Sequence, residues 1–224
     1  MILEYGVLVA AVIFAAGDWL AVARGRRRLE VVCKPAAVLG VLIGAWVGTR
    51  GSHDLWQVRF FLPGFAFSLA GDVFLMLRKR RFFLPGLIAF LLAHICYVVG
   101  LNPTLPPGPS LLVLIPVAGI GAVLFRGLAQ GLREQGQERM LAPVAVYSLV
   151  LSGTLFSAWA TFFRPDWGAL RALIAVIGAS LFFASDAMLA WDRFVRSFPR
   201  ARLWVHMTYH VGQVALAVSL LLVA

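Results

Sequence analysis

Residues 68–81 read SLAGDVFLMLRKRR and place a carboxylate inside an apolar run that ends in four consecutive cations. Asp72 lies six residues before Arg78, which is about 9 Å along a helix that rises 1.5 Å per residue. The apolar run begins near residue 59 and is long enough to cross the ~30 Å hydrocarbon core of a bilayer. The stretch therefore predicts a transmembrane helix that carries a charged group at depth.

The whole chain has the composition of an integral membrane protein. Hydrophobic residues make up 61% of its 224 residues, charged residues only 13%, and the mean hydropathy is +0.88, which excludes an ordinary soluble domain. Eight apolar runs approach the length of a membrane span, at residues 3–23, 34–49, 59–77, 82–101, 110–127, 140–163, 168–190 and 203–223. We predict an all-α membrane protein of eight transmembrane helices, forming a single polytopic domain over residues 1–224.

The net charge of +10 indicates topology rather than a nucleic-acid partner. Most cations fall in the odd-numbered connectors and the adjoining helix ends, whereas the even-numbered connectors hold only Arg50, Arg59, Arg164 and Arg171. Positively charged loops are retained in the cytoplasm, so we predict cytoplasmic odd connectors and both termini outside. The expected location is a bacterial-type inner membrane.

Two further aspartates are predicted at the depth of Asp72. Asp18 lies six residues before Arg24, and Asp186 lies six residues before Asp192, both in helices predicted to run inward. A charged side chain in the bilayer costs about 2.5 to 3.5 kcal/mol on insertion scales, so three carboxylates in one layer indicate a functional site. For Asp18, which lies near a helix end, an interfacial position is the alternative interpretation.

The segments around Asp72 and Asp186 are alike. Each has a small residue before the aspartate and a leucine three residues after it, and HICY at 94–97 has a counterpart in HMTY at 206–209. A four-plus-four repeat of parallel halves would explain the likeness. Chance is the other explanation, because the two histidines lie at different distances from the preceding basic residues.

The last predicted helix carries a polar face. His206, Tyr209, His210 and Gln213 recur at the spacing i, i+3, i+4 and i+7, which places them on one side of a helix. We expect this side to point into the bundle and to overlap the layer of Asp72 and Asp186. Lys34, at the predicted start of helix two, can reach the same layer. Interhelical hydrogen bonds and, for Lys34, an interfacial anchor are the alternative roles.

Five motifs together resemble the lysoplasmalogenase family, also called YhhN. They are KP at 34–35, GDVFLML at 71–77, HICY at 94–97, SLFFASDAMLA at 180–190 and YHVGQVAL at 209–216, in an order that spans nearly the whole chain. The resemblance implies hydrolysis of the vinyl ether bond of lysoplasmalogens to a fatty aldehyde and glycerophosphoethanolamine or glycerophosphocholine. It places Asp72 and Asp186 on the family's aspartates, and five other residues on its recurring polar positions: Lys34, His94, Tyr97, Tyr209 and Gln213. His206 and His210 do not match the pattern, so their role depends on helical phase.

The chemistry of this reaction suits two carboxylates in an apolar cavity. One group must donate a proton to the vinyl ether, and the other must stay ionised to stabilise the oxocarbenium ion and activate water. Neither step needs a metal or an organic cofactor. A cation such as Lys34 would keep one carboxylate ionised, and the position of Asp72 near the basic block favours it for that role.

The basic block is also expected to bind the substrate's phosphate. We predict that Arg78, Lys79 and Arg80, together with the cluster at 24–28, contact the head group of a membrane lipid substrate whose alkenyl chain lies between helices. The sequence predicts no oligomeric state and no preference for one head group or chain length.

Two alternatives remain at this point. A proton-coupled transporter also has paired acids and helical repeats, although the outer halves of helices three and seven are almost free of polar side chains. A metal-dependent membrane hydrolase would use His94, His206, His210 and an aspartate as zinc ligands, but the histidines are predicted at unequal depths.

Overall fold

The computed structural model describes residues 2–51, 55–77 and 80–222, and the long elements within these ranges are all helices. They are α1 (Ile2–Ala23), α2 (Arg27–Gly48), α3 (Leu55–Met76), α4 (Phe83–Leu101), α5 (Leu111–Glu134), α6 (Leu141–Ala160), α7 (Ala169–Phe194) and α8 (Ala201–Leu221). Single 3₁₀ turns occur at Arg80–Phe82, Gly108–Ser110, Glu138–Met140 and Thr161–Phe163. The all-α prediction is confirmed, and the eight observed helices agree with the eight apolar runs.

Several helices extend beyond the apolar runs that predicted them, three of them at a charged or polar end. Helix α2 begins at Arg27 rather than residue 34, α5 ends at Glu134 rather than 127, and α7 ends at Phe194 rather than 190. Arginine, glutamate and glutamine are good helix formers, so the helices continue where the hydrophobic segments stop. As a result, Lys34 lies two turns into α2 instead of at its start.

Seven of the helices, α1 to α7, are long and apolar enough to cross a membrane by length and composition. Helix α8 has 21 residues, about 32 Å, but its polar face lowers its hydropathy. Large apolar side chains lie exposed on the outside of the bundle, including Leu112 (72% exposed) and Leu149 (74%), as expected for surfaces that face lipid. The chain is a multi-pass integral membrane protein.

Helices adjacent in the chain pack most extensively, as the pairs α1–α2, α3–α4 and α7–α8. The backbones of α7 and α8 touch at two glycines, where a methyl group on Gly212 would lie 2.9 Å from the carbonyl oxygen of Gly178. Small residues allow such close approach in membrane helices. Helix α8 also contacts α1, α2 and α3, so its polar face lies against several neighbours at once. The four-plus-four repeat stays a prediction.

The orientation of the bundle is tested by reporter fusions. We expect a reporter fused after Ala224, which lies outside the described residues, to read as non-cytoplasmic, because the basic connectors are held inside. A reporter inserted near Gln135, at the end of α5, is expected to read as cytoplasmic. The opposite pair of results would reverse the predicted topology.

Candidate active site

A polar cavity of about 450 Å³ opens at the end of the bundle where α1 ends and α2 begins, which is the predicted cytoplasmic end. Helices α2, α3, α4, α7 and α8 all contribute to its lining. Five residues singled out from the sequence lie on its wall: Lys34, Asp72, Asp186, His206 and Tyr209. The cavity therefore brings together polar side chains that are far apart in the chain.

Asp72 lies on the wall of this cavity between a cation and a phenol. Its Oδ1 lies 2.9 Å from Lys34 Nζ, and Tyr209 donates its hydroxyl to Oδ2 at 2.8 Å. The Asp72 side chain is fully buried. Burying a charge is costly unless it is paired and hydrogen-bonded, and both conditions are met by an ionised Asp72 beside a protonated Lys34.

Asp186 belongs to a second cluster, built from α4, α6 and α7. His94 Nε2 lies 3.0 Å from its Oδ2, and Tyr147 donates its hydroxyl to the same oxygen. On the far side of the imidazole, His94 Nδ1 lies 3.1 Å from Thr154 Oγ1. Asp186 remains 7% exposed and lines the cavity, so it is reachable by a ligand.

Asp18 forms a third cluster behind the cavity wall. Its Oδ2 lies 2.7 Å from His206 Nδ1 and 3.8 Å from His210 Nδ1, and Trp19 donates to His210 Nδ1 at 3.1 Å. Asp18 itself is fully buried and is not among the cavity-lining residues. Of this cluster, His206 is the member on the cavity wall, with Asp18 fixing its orientation from behind.

Tyr97 and Gln213 lie deeper, in the packed centre of the bundle. The Tyr97 hydroxyl donates to Gln213 Oε1 at 3.1 Å and lies 3.4 Å from Ser68 Oγ. Both side chains are fully buried and neither lines the cavity. These contacts join α4 to α8 and α3.

The cavity wall also carries cations. Arg78 and Lys79 lie outside the described residues, and the side chain of Arg80 is not described. Three arginines lie on the cavity wall: Arg27, which belongs to the predicted cluster at 24–28, and Arg193 and Arg202. Two of them hold Glu30, whose Oε1 lies 2.5 Å from Arg27 Nη1 and 2.6 Å from Arg202 Nη2.

Three polar residues that join the site in the fold carry no role in the sequence prediction: Glu30, Tyr147 and Thr154. Their spacing along the helices could have indicated them. Tyr147 and Thr154 are seven residues apart, and Glu30 is four residues before Lys34, so each pair shares one face of its helix. Neither signal shows which helix that face contacts, and Tyr147 acquires its role only from the packing of α6 against α7.

The histidines of the metal-site alternative divide between two clusters, with His94 apart from His206 and His210. His94 bonds Asp186, whereas His206 bonds Asp18. Within the ranges that the structure describes, no group of three or more His, Cys, Asp and Glu side chains is close enough together to hold a metal ion.

Comparison with known proteins gives the family. The YhhN family model matches residues 29–220. The chain is 33% identical over 193 residues to the human protein named lysoplasmalogenase TMEM86B. The matched region covers 85% of this chain and 74% of the human protein. The mouse lysoplasmalogenase TMEM86B is 31% identical over 191 residues, with the same two shares.

A bacterial relative is matched over a shorter stretch. The lysoplasmalogenase of Mycobacterium tuberculosis is 30% identical over 144 residues, 61% of this chain and 51% of that protein. No solved structure matches the chain significantly. The resemblance carried by the five sequence motifs is confirmed, and the chain belongs to the YhhN family.

Proposed function

We propose that this protein hydrolyses the vinyl ether bond of lysoplasmalogens, with Asp72 and Asp186 as its acid–base pair. A lysoplasmalogen-cleaving hydrolase is supported by the names of its relatives over most of the chain. The roles of the two aspartates rest on one observation: carboxylates from α3 and α7 line the same cavity with different partners. Groups with different surroundings can hold different protonation states, as acid and base must.

The reaction requires one proton transfer to carbon and one addition of water. A proton adds to the β carbon of the alkenyl chain, and the electron pair of the double bond forms the new C–H bond. The resulting oxocarbenium ion takes up water at the α carbon, and that water loses a proton to a base. The hemiacetal then collapses to a fatty aldehyde and the glycerophospho alcohol, with the leaving oxygen taking a proton.

Asp72 suits the part of the permanent anion. Lys34 at 2.9 Å and the Tyr209 hydroxyl at 2.8 Å stabilise its negative charge. An ionised carboxylate on the cavity wall favours the positive charge that develops on the ether carbon. The same group can accept the proton of the attacking water. We therefore assign Asp72 as the cation stabiliser and base, the role that its distance from the basic block favoured in the sequence.

Asp186 suits the part of the acid because of the bonding around His94. Thr154 Oγ1 lies 3.2 Å from Val150 O and 3.3 Å from His94 O. We take the threonine to donate its single proton to one of these carbonyls, which can only accept, and to accept from His94 Nδ1–H. A neutral His94 then presents a lone pair at Nε2.

The 3.0 Å contact between His94 Nε2 and Asp186 Oδ2 is a hydrogen bond only if a proton lies between these two atoms. If His94 is neutral, Asp186 carries the proton; if His94 is an imidazolium, it supplies the proton to an ionised Asp186. Either way the pair holds one proton between Nε2 and Oδ2. We propose that this proton is delivered to the substrate, with Tyr147 bonded to the carboxylate that remains.

The head group of the lipid is proposed to bind at the cavity mouth, beside Arg27 and Arg202. Arg27 and Arg202 carry two positive charges around a single carboxylate, Glu30, and arginine binds phosphate through its planar fork of donors. Arg202 is more than half exposed and so can turn toward a ligand. The substrate is then a lipid of the inner leaflet of a bacterial-type membrane, in agreement with the predicted topology.

The reaction is tested by comparing two ether lipids. Purified protein in detergent is expected to release aldehyde from a lysoplasmalogen and none from the matched alkyl ether lipid, because only the vinyl ether forms an oxocarbenium ion on protonation. Aldehyde is measured by coupled reduction. Equal release from both lipids, or none from either, would contradict the proposed function.

A further inference from the structure

An apolar crevice meets the polar cavity at Asp186. It lies between α4, α5, α6 and α7, and its exposed lining is almost wholly apolar. Asp186, Leu75, Phe90, Leu189 and Arg193 line the crevice on one side and the cavity on the other. Asp186 therefore stands where a hydrophilic compartment and a hydrophobic one adjoin.

Helices α5, α6 and α7 pack closely beside the crevice. Helices α5 and α6 touch at Gly121, where any side chain would collide with Ser152 Oγ. Helices α5 and α7 approach closely at Gly127, beneath the Trp191 ring. Leu124 on α5 and Leu151 on α6 line the crevice.

The free volume of the crevice is about 40 Å³, which is little for a long hydrocarbon. A chain can enter only by displacing the flexible leucine side chains that line it. Leucine changes rotamer readily when a neighbour makes room, and outward-facing α5 residues such as Val123, 70% exposed, already face lipid. The bulk of the lining side chains therefore limits which chains fit.

The substrate's geometry matches the two compartments. In a vinyl ether, the β carbon continues into the hydrocarbon chain, while the oxygen leads to glycerol and phosphate. When the β carbon lies at Asp186, the two halves of the molecule extend away from each other. The cavity offers Lys34, Arg27 and Arg202 to the phosphate half, and the crevice offers leucine, valine and phenylalanine side chains to the hydrocarbon half.

We propose that this crevice binds the alkenyl chain of the substrate and that Leu151 limits the chain length accepted. The proposal rests on the proposed function, since it takes the vinyl ether to react at Asp186. Leu151 is 2% exposed and lies on α6, one turn beyond Tyr147. Its side chain contacts a bound chain a few carbons beyond the reacting double bond.

The test narrows the crevice and compares two substrates. Leu151→Trp is expected to lower kcat/KM at least ~10-fold for a hexadecenyl lysoplasmalogen, and by less than about twofold for a butenyl analogue that ends short of the new ring. Leu149→Trp adds the same bulk two residues away on the lipid-facing side of α6, where Leu149 is 74% exposed. This control is expected to leave both values within about twofold of wild type.

A second variant guards against misfolding. Ser148 also lines the crevice, and Ser148→Leu narrows it with a side chain that membrane helices tolerate well, so the same selective loss of the long substrate is expected. Equal losses on both substrates in the two narrowed variants, or no loss on either, would overturn the crevice assignment. If wild-type protein cleaves neither substrate, the proposed function fails instead.

Discussion

Asparagine in place of Asp186 or Asp72 is expected to lower kcat at least ~100-fold, the usual scale for a general acid or base. Asparagine keeps the size of the side chain and a carbonyl oxygen, so Tyr147 and Tyr209 retain an acceptor. It cannot hold a transferable proton or a negative charge. Turnover of lysoplasmalogen by purified variants, with membrane yield as the check on folding, measures the effect.

The double variant separates a joint mechanism from two independent contributions. Groups that act as a unit are strongly non-additive, so Asp72→Asn with Asp186→Asn is expected to be little worse than either single change. Asp192 is a matched control, because it also lines the cavity and lies on α7. Asp192→Asn is expected to stay within about threefold of wild type. A well-folded Asp72 or Asp186 variant with near-normal turnover would make that aspartate structural.

Lys34→Met is expected to destabilise the protein by about 3–5 kcal/mol, the usual cost of leaving one member of a buried ion pair without its partner. Asp72 is fully buried and lies 2.9 Å from the Lys34 ammonium, so the carboxylate would lose its compensating charge. Thermal unfolding in detergent, followed by near-ultraviolet circular dichroism, measures the loss as a fall in Tm.

Adding Asp72→Asn to Lys34→Met should restore most of the lost stability without restoring activity. The double variant has no buried charge left at this position, but it also has no anion to stabilise the oxocarbenium ion. Lys34→Arg changes the side chain but keeps its positive charge, so it is the control for effects of the substitution other than loss of charge. If Lys34→Met unfolds at the wild-type temperature, the pair is not ionised, and the role given to Asp72 fails.

That Asp72 and Asp186 lie at a similar level of the bundle could be predicted from the sequence by counting residues from the charges near the helix ends. Asp72 and Asp186, each six residues before another charged residue, line one cavity in the folded protein. Depth does not fix rotation about the helix axis, however. Asp18 has the same spacing, yet it lies behind the cavity wall and bonds His206.

Other parts of the site depend on contacts between helices, which cannot be predicted from the spacing of residues within one helix. Tyr147 is uncharged and lies in an apolar helix, and its bond to Asp186 exists only because α6 packs against α7. The start of α2 was placed too late because hydropathy detects the membrane-embedded part of a helix rather than the helix itself. That error hid Glu30, which lies in the first turn of α2.

If the proposed reaction takes place at Asp186, the position of this residue on the boundary between the cavity and the crevice also governs where the two products leave. Cleavage at this boundary leaves a phosphate-bearing alcohol on the side lined by Arg27 and Arg202 and an aldehyde on the side lined by leucines. The alcohol dissolves in water and the aldehyde dissolves in the bilayer, so each departs into the phase that suits it. Neither product then obstructs the release of the other.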